Sequence, residues 1–154
     1  MEDFEFFNTG LEAITAGLIA AVIAQSIKVI AYLYTHKKIN FQLFTSTGGM
    51  PSSHTSGVIA LATSVALIDG IDSTSFAVAL GLSLIVMQDA SGIRRAAGKT
   101  AATLNRLVYE WSEKHHETKP YEALKELLGH TPLEVFCGMI LGLIVPLILH
   151  YFAG

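Results

Sequence analysis

Residues 133–152 read LEVFCGMILGLIVPLILHYF, and this stretch decides the class of fold. Apart from Glu134 near its start and His150 near its end, the run contains no ionisable side chain other than one thiol and one phenol. An α-helix of about 20 apolar residues crosses a bilayer core of about 30 Å. The run therefore predicts a membrane-spanning helix, here placed at residues 132–152.

Three further apolar runs predict spans at residues 11–34, 54–68 and 75–90. The two middle spans are short, and they cross the bilayer only if polar flanks such as His54 and Asp89 continue the helices. Of the 154 residues, 51% are hydrophobic and 15% are charged, which leaves little surface for water. A soluble protein with buried helices is the disfavoured alternative. We predict an all-α, polytopic membrane bundle of about four spans, formed by a single domain over residues 1–154.

The segment of residues 95–128 has a different pattern. Ala101, Leu104, Val108 and Trp111 recur at helical spacing, and charged residues occupy the other faces. Pro120 ends this helix, and the leucines of residues 121–128 predict a second, short one. We expect both amphipathic helices to lie on the cytoplasmic leaflet.

The charges are distributed unevenly along the chain. Except for Lys28, every Lys and Arg lies between the first and second spans or between the third and fourth. The segments on the opposite side of the membrane contain acidic residues, such as Glu5 and Asp72, but no Lys or Arg. The positive-inside rule therefore places both termini outside and both basic loops in the cytoplasm. We expect an integral membrane protein, located in the plasma membrane if the organism is a bacterium.

Three polar clusters fall at that cytoplasmic interface. The first is Gly48-Gly49-Met50-Pro51-Ser52-Ser53-His54-Thr55. Glycines let backbone N–H groups converge on an anion, and serines at a helix start add donors where the helix dipole favours negative charge. His54 can carry a proton near neutral pH. The cluster predicts a phosphate pocket with a built-in acid or base; the alternative is a simple helix cap.

The second cluster runs from Asp89 to Lys99. Arg95 and Lys99 lie one turn apart, a repulsive spacing unless an anion lies between them. Arginine holds phosphate oxygens in a bidentate fork, so Arg94 and Arg95 are candidate phosphate ligands. The alternative is a basic anchor that touches lipid head groups non-specifically. Asp89, an acid at the end of a span, requires a charged partner among these residues.

The third cluster is Gly129-His130-Thr131-Pro132-Leu133-Glu134. Thr131, Pro132 and Glu134 match a capping box with proline at the first helical position. His130 and Glu134 are also four residues apart, so that the carboxylate can orient the imidazole for attack or proton transfer. These two uses of Glu134 compete, and both remain open at this point.

Taken together, the three blocks resemble the divergent branch of the type 2 phosphatidic acid phosphatase superfamily, which is related to acid phosphatases and vanadium haloperoxidases. The resemblance covers nearly the whole chain. It implies a helical, metal-independent enzyme without cofactors that removes phosphate through a phosphohistidine. The family's histidine motifs match Pro51-Ser52-Ser53-His54, with serine in place of glycine, and His130 with Glu134, with glutamate in place of aspartate.

The resemblance implies roles for these residues. His130 would be the nucleophile, oriented by Glu134, and His54 the acid for the leaving group, while Asp89 would position an arginine. The phosphate-binding candidates are Arg94, Arg95, Lys28, Lys38, Gly48, Gly49, Ser52 and Ser53. Leu124 stands where the family has an arginine, and no Arg-Pro follows the lysines of the first basic loop.

The sequence thus predicts a membrane phosphatase acting on a lipid phosphate or an isoprenoid (di)phosphate. One alternative is a protein that binds or transports a lipid phosphate without cleaving it, and another is an interfacial scaffold. A metal site built from His54, Asp89, His130 and Glu134 is a weaker alternative. No nucleic-acid partner is expected, and a thin bundle of this kind is compatible with a homodimer.

Overall fold

A computed structural model describes residues 7–37, 48–115, 122–126 and 128–153 of the chain. These residues form helices joined by turns and short irregular segments. The elements are α1 (Gly10–His36), α2 (Ser53–Asp69), α3 (Thr74–Gln88), a π-helical turn (Asp89–Ile93), α4 (Arg94–His115) and α5 (Pro132–Ala153). The predicted all-α class is confirmed, and α1, α2, α3 and α5 coincide with the four predicted spans to within about two residues.

Side-chain caps fix where the apolar helices begin. Thr9, Ser52 and Ser73 each accept a hydrogen bond from a backbone N–H of the first turn of α1, α2 and α3. At α5, Thr131 Oγ1 accepts from Glu134 N–H at 3.3 Å, and Glu134 Oε2 accepts from Thr131 N–H at 2.9 Å. This reciprocal pair is the predicted capping box, and it satisfies donors that a helix start leaves free.

Helix α2 lies at the centre of the bundle and contacts α1, α3 and α5. Small residues bring the backbones together: a Cβ on Gly17 would lie 3.0 Å from the Gly57 carbonyl, and one on Gly142 would lie 2.7 Å from the Ser56 carbonyl. Ser56 Oγ also donates to Ala20 O at 3.0 Å. Helices associate in lipid through small residues, which allow close approach, and through hydroxyl donors. Apolar side chains contribute little there, because they only exchange contacts with lipid tails for contacts with another helix.

Among the residues that the structure describes, three helices are long and apolar enough to cross a membrane: Gly10–His36, Thr74–His115 and Pro132–Phe152. Helix α2 has 17 residues, which corresponds to about 25 Å. The large apolar side chains of the outer helices, such as Leu18, Leu84 and Ile148, are exposed on the bundle surface. The protein is therefore an integral membrane protein built as a helical bundle.

The region after α3 differs from the prediction in two ways. The helix that begins as α3 continues beyond the predicted third span, because the π-helical turn joins α3 to α4 in one helix of 42 residues, Thr74–His115. The short helix expected after Pro120 is absent from residues 122–126 and 128. The crossing segment, residues 122–126, lies instead against α4: Asn105 Nδ2 donates to Leu124 O at 2.8 Å, and Leu124 N–H donates to Asn105 Oδ1 at 2.9 Å. Its backbone groups are thus partly satisfied by a side chain rather than by helical hydrogen bonds.

Candidate functional site at one end of the bundle

Backbone hydrogen bonds hold three distant parts of the chain together at the end of the bundle where α2 and α5 begin. Ser52 N–H donates to Glu134 O at 3.0 Å, which joins the start of α2 to the start of α5. His130 N–H donates to Ala90 O at 2.8 Å, which joins the residue before α5 to the π-helical turn. The three polar clusters of the sequence therefore meet in one place, although up to about 80 residues separate them along the chain.

Gly129 makes the junction with α4 possible. Its φ of +79° lies in the left-handed region, and a Cβ there would collide with the backbone nitrogen of Arg95 and lie 2.8 Å from the Arg94 carbonyl carbon. Only glycine adopts this backbone conformation without strain and also permits such contact. The residue thus sets His130 against the π-helical turn.

Two buried side-chain nitrogens, one on Lys28 and one on His130, stand out at this end of the bundle. The side chain of Lys28, from the second half of α1, is 5% exposed, and that of His130 is 4% exposed. Lys28 Nζ and His130 Nε2 have no hydrogen-bond partner among the described residues. Gly49 lies beside the lysine, since a Cβ on Gly49 would be 3.6 Å from Lys28 Cδ. Buried polar groups without partners are costly in a folded protein and are characteristic of binding sites.

The surroundings of His130 favour the neutral form of its imidazole. Burial lowers the pKa of His130, and the positive charge of Lys28 lowers it further, whereas the carboxylate of Glu134 acts in the opposite direction. His54 and Arg94 also contribute to lowering this pKa. A neutral imidazole has a ring nitrogen with a free lone pair, which is the form that acts as a nucleophile or base.

Glu134 serves the capping box in this structure. Its carboxylate accepts from the Thr131 N–H, and within the described part of the chain it makes no hydrogen bond to the His130 ring. Its negative charge nevertheless acts on both His130 and Lys28. The structure thus shows Glu134 in its capping role. Among the described residues, its interaction with His130 is electrostatic and is not a hydrogen bond.

Asp89 and Arg94 form an ion pair across the π-helical turn. Arg94 Nε donates to Asp89 Oδ2 at 2.5 Å, so the partner that the acid at the end of the third span requires is an arginine. The exposed His54, on the first turn of α2, lies within electrostatic range of Lys28, Asp89 and Arg94. The charges of Lys28 and Arg94 thus act on both histidines.

Arg95 lies in the wall of a cavity that His130 also lines. This cavity has a volume of about 370 Å³, and its wall includes Gly48, Gly49, Arg95, Lys99, His130 and Glu134. Arg95 and Lys99 are the pair whose spacing indicates an anion between them. The two neighbouring arginines therefore differ in position: Arg94 belongs to the ion pair with Asp89, and Arg95 to the cavity.

The remaining predicted residues stand apart. Ser52 is fully buried, and its Oγ accepts from the N–H and the hydroxyl of Thr55, so this hydroxyl caps α2. Ser53, the first residue of α2, is also buried. Lys38 lies outside the described residues. The described residues also contain no group of three or more His, Cys, Asp or Glu able to hold a metal ion, so the metal alternative has no ligand set there.

Sequence reasoning overlooked two side chains near the site. Glu126 contributes to the cavity wall and accepts from Asn105 Nδ2 at 2.7 Å. Asn105 is the buried polar residue of α4 that anchors the crossing segment leading to His130. Its position on the same helical face as Gly98 and Ala101, among small residues, was the available signal.

Comparison with known proteins gives one curated relative and a family. The chain is 44% identical to the uncharacterized membrane protein YuiD of Bacillus subtilis (strain 168), in a match that covers 89% of this chain and 92% of the relative. No solved structure matches the chain. The sequence profile of the divergent PAP2 family matches residues 10–145, which include every part of the site. The chain therefore belongs to the divergent PAP2 family, as its three polar blocks suggested.

Proposed function

We propose that the protein is an integral membrane phosphatase that hydrolyses a lipid phosphate or an isoprenoid (di)phosphate through a phosphohistidine at His130. One observation carries the proposal: Lys28 Nζ and His130 Nε2 are both buried, the charge of Lys28 acts on His130, and neither nitrogen has a hydrogen-bond partner among the described residues. A phosphoryl group supplies the oxygens that such a cation needs and the electrophile that such an imidazole attacks. The family membership supports the same chemistry.

In the first step, Nε2 of neutral His130 attacks phosphorus, and the bond from phosphorus to the leaving oxygen breaks. His54 donates a proton to that oxygen, so that the product leaves as an alcohol or as a phosphate monoester. Lys28 and Arg94 stabilise the negative charge on the equatorial oxygens. Asp89 holds the Arg94 guanidinium in place through its ion pair.

In the second step, water attacks the phosphohistidine, and the bond between phosphorus and His130 Nε2 breaks. His54, now neutral, accepts the proton of the attacking water, which returns both histidines to their starting forms. Inorganic phosphate is released. The cycle balances without an external oxidant, reductant or metal ion.

The orientation of the bundle supports a lipid substrate. The site lies at the end of the bundle that carries the basic loops, which the positive-inside rule assigns to the cytoplasmic face. The phosphate of an inner-leaflet lipid lies at this face of the membrane. We therefore propose a substrate in the inner leaflet.

The direct test is phosphate release by the purified protein in the presence of EDTA, with a long-chain lipid phosphate as substrate. We expect turnover by the wild type, and loss of turnover in both His54→Ala and His130→Ala. Unchanged turnover in either variant would remove that histidine from the mechanism.

A second function, binding or transport of a lipid phosphate without cleavage, is favoured by one observation. The Glu134 carboxylate hydrogen-bonds to Thr131, and among the described residues it does not make the orienting hydrogen bond to the His130 ring that is expected for a nucleophile. This alternative predicts tight lipid-phosphate binding without phosphate release, and full binding by His130→Gln.

A further inference from the structure

An apolar groove opens on the side of the bundle between α1 and α5. Its volume is about 280 Å³, and its walls include Ile27 and Ala31 of α1, Met50 and Pro51 of the loop before α2, and Cys137 and Ile144 of α5. Ile27 and Ile144 are 40% and 45% exposed, so the groove is open towards the surrounding lipid. None of the described residues that line it carries a charge.

Residues of the groove are close neighbours in the chain of residues of the phosphate site. Ile27 of the groove precedes Lys28 of the site, and Met50 follows Gly49, which contacts that lysine. On α5, Glu134 belongs to the wall of the polar cavity, and Cys137, one turn further along the same face, belongs to the groove. An amphiphile with an anionic head at Lys28 would therefore have its chain directed into the groove.

We propose that this groove, the α1–α5 groove, binds the hydrocarbon chain of the substrate and selects phosphates carried on one long chain. The proposal rests on the phosphate site proposed above. From Cys137 to Ile144 the groove extends along α5 for on the order of 10 Å. Its volume is slightly below the 300–1,000 Å³ range of typical ligand pockets, which fits the first part of a single chain. The open side lets the rest of the chain continue into the bilayer.

The test compares binding of dodecyl phosphate and inorganic phosphate to the full-length protein in lipid nanodiscs. Ala31→Phe places a ring in the groove, whereas Ala77→Phe places the same ring at an exposed position of α3 away from it. We expect Ala31→Phe to weaken dodecyl phosphate binding at least tenfold more than it weakens inorganic phosphate binding. We expect Ala77→Phe to change neither, and Lys28→Gln to weaken both.

A second measurement uses Cys137, the single cysteine of the chain, as a reporter in the groove wall. We expect dodecyl phosphate to slow its modification by a maleimide severalfold, and inorganic phosphate to leave the rate unchanged. Dodecanol, which has the same chain and no anionic head, should protect much less. Equal protection by dodecanol would show that the groove makes only ordinary lipid contacts, and would overturn the proposal.

The outcomes separate this inference from the proposed function. Dodecyl phosphate binding that is equally strong in Ala31→Phe and wild type overturns the groove, whether or not the protein is a phosphatase. Groove-dependent binding without phosphate release supports the groove and contradicts the phosphatase. Loss of binding in Lys28→Gln together with loss in Ala31→Phe supports one continuous site for head and chain.

Discussion

At the scale of single residues, the site is defined by which polar groups are satisfied and which are not. Ser52 and Glu134 have partners within the fold, where each caps a helix. Lys28 Nζ and His130 Nε2 are buried without partners in the described part of the chain. A membrane protein keeps such groups at a cost in stability, and an anionic ligand removes that cost.

Replacing the two histidines tests their assigned roles. We expect His130→Ala to reduce phosphate release at least about 10³-fold, because the covalent step has no substitute nucleophile. We expect His54→Ala to reduce it about 10²–10⁴-fold, the usual range for loss of a positioned acid. Steady-state rates in EDTA measure both, and the exposed His115→Ala on α4 serves as the control.

The pH dependence of activity tests the pairing of Lys28 with His130. Because His130 must be neutral to attack, activity falls as the pH drops through its pKa, which burial and Lys28 hold below the usual value of about 6.5. Lys28→Gln removes one cause of the lowering, so the acid limb of its rate profile should move to higher pH. Profiles normalised to their own maxima measure the shift.

The control for this shift is Lys99→Gln, since Lys99 is not among the groups that act on the pKa of His130. Its profile should coincide with that of the wild type on the pH axis. An acid limb of Lys28→Gln that stays in place, or moves to lower pH, would contradict the electrostatic pairing.

At the scale of helices and loops, glycines decide how closely the elements approach. Gly138 and Gly142 of α5 lie against the carbonyls of Ser52 and Ser56 on α2, and Gly129 lies against the backbone of α4. These contacts, rather than large apolar side chains, set the relative positions of the site-bearing segments. A methyl group at any of them displaces a backbone.

Gly129→Ala should therefore destabilise the protein by about 1–3 kcal/mol from its positive φ alone, with a further cost from the collision with Arg95. It should also weaken phosphate binding, because His130 follows directly. Gly81→Ala in α3 is the matched control: a Cβ there meets nothing within 4 Å, and the change should be neutral or stabilising by up to about 1 kcal/mol. Thermal unfolding in detergent compares them, and equal stability of the two variants would refute the packing argument.

The helices were predictable from the sequence because apolar length and capping residues act locally. Thr131, Pro132 and Glu134 indicate the start of α5, and the structure places it there. The continuation of α3 into α4 was not predictable, because Asp89 ends the apolar run without ending the helix, and the π-helical turn absorbs the irregularity. The crossing segment depends on Asn105, a contact between residues about 20 apart, which no local pattern specifies.

The sequence predicted which residues form the site better than it predicted the hydrogen bonds that they make. Lys28 stood out as a cation within a span, and His130 as a residue that the capping box does not explain. The distinct positions of Arg94 and Arg95 follow from the helical rotation between neighbours and from the ion pair with Asp89, which only the folded chain shows.

At the scale of the whole molecule, the distribution of charge relates the site to the membrane. Lys37, Arg94 and the candidate site lie at one end of the bundle, and the loop of residues 70–73 lies at the other, between α2 and α3. The positive-inside rule then predicts that the site faces the cytoplasm. This orientation remains a prediction that can be tested in cells.

Cysteine accessibility tests it. In a Cys137→Ser background, Asp72→Cys should react with a membrane-impermeant maleimide on intact cells, whereas Lys114→Cys should react only after permeabilisation. Both positions are exposed in the structure, so a difference in labelling reports the side of the membrane rather than burial. The opposite pattern of labelling would place the site at the outer face.

The most direct test of the central claim, that Lys28 and His130 converge on one phosphoryl group, is an experimental structure of the protein with vanadate bound. We predict a vanadate centre bonded to His130 Nε2, with one of its oxygens within about 2.7–3.2 Å of Lys28 Nζ. Vanadate bound only between Arg95 and Lys99, with no contact to either buried nitrogen, would contradict the account.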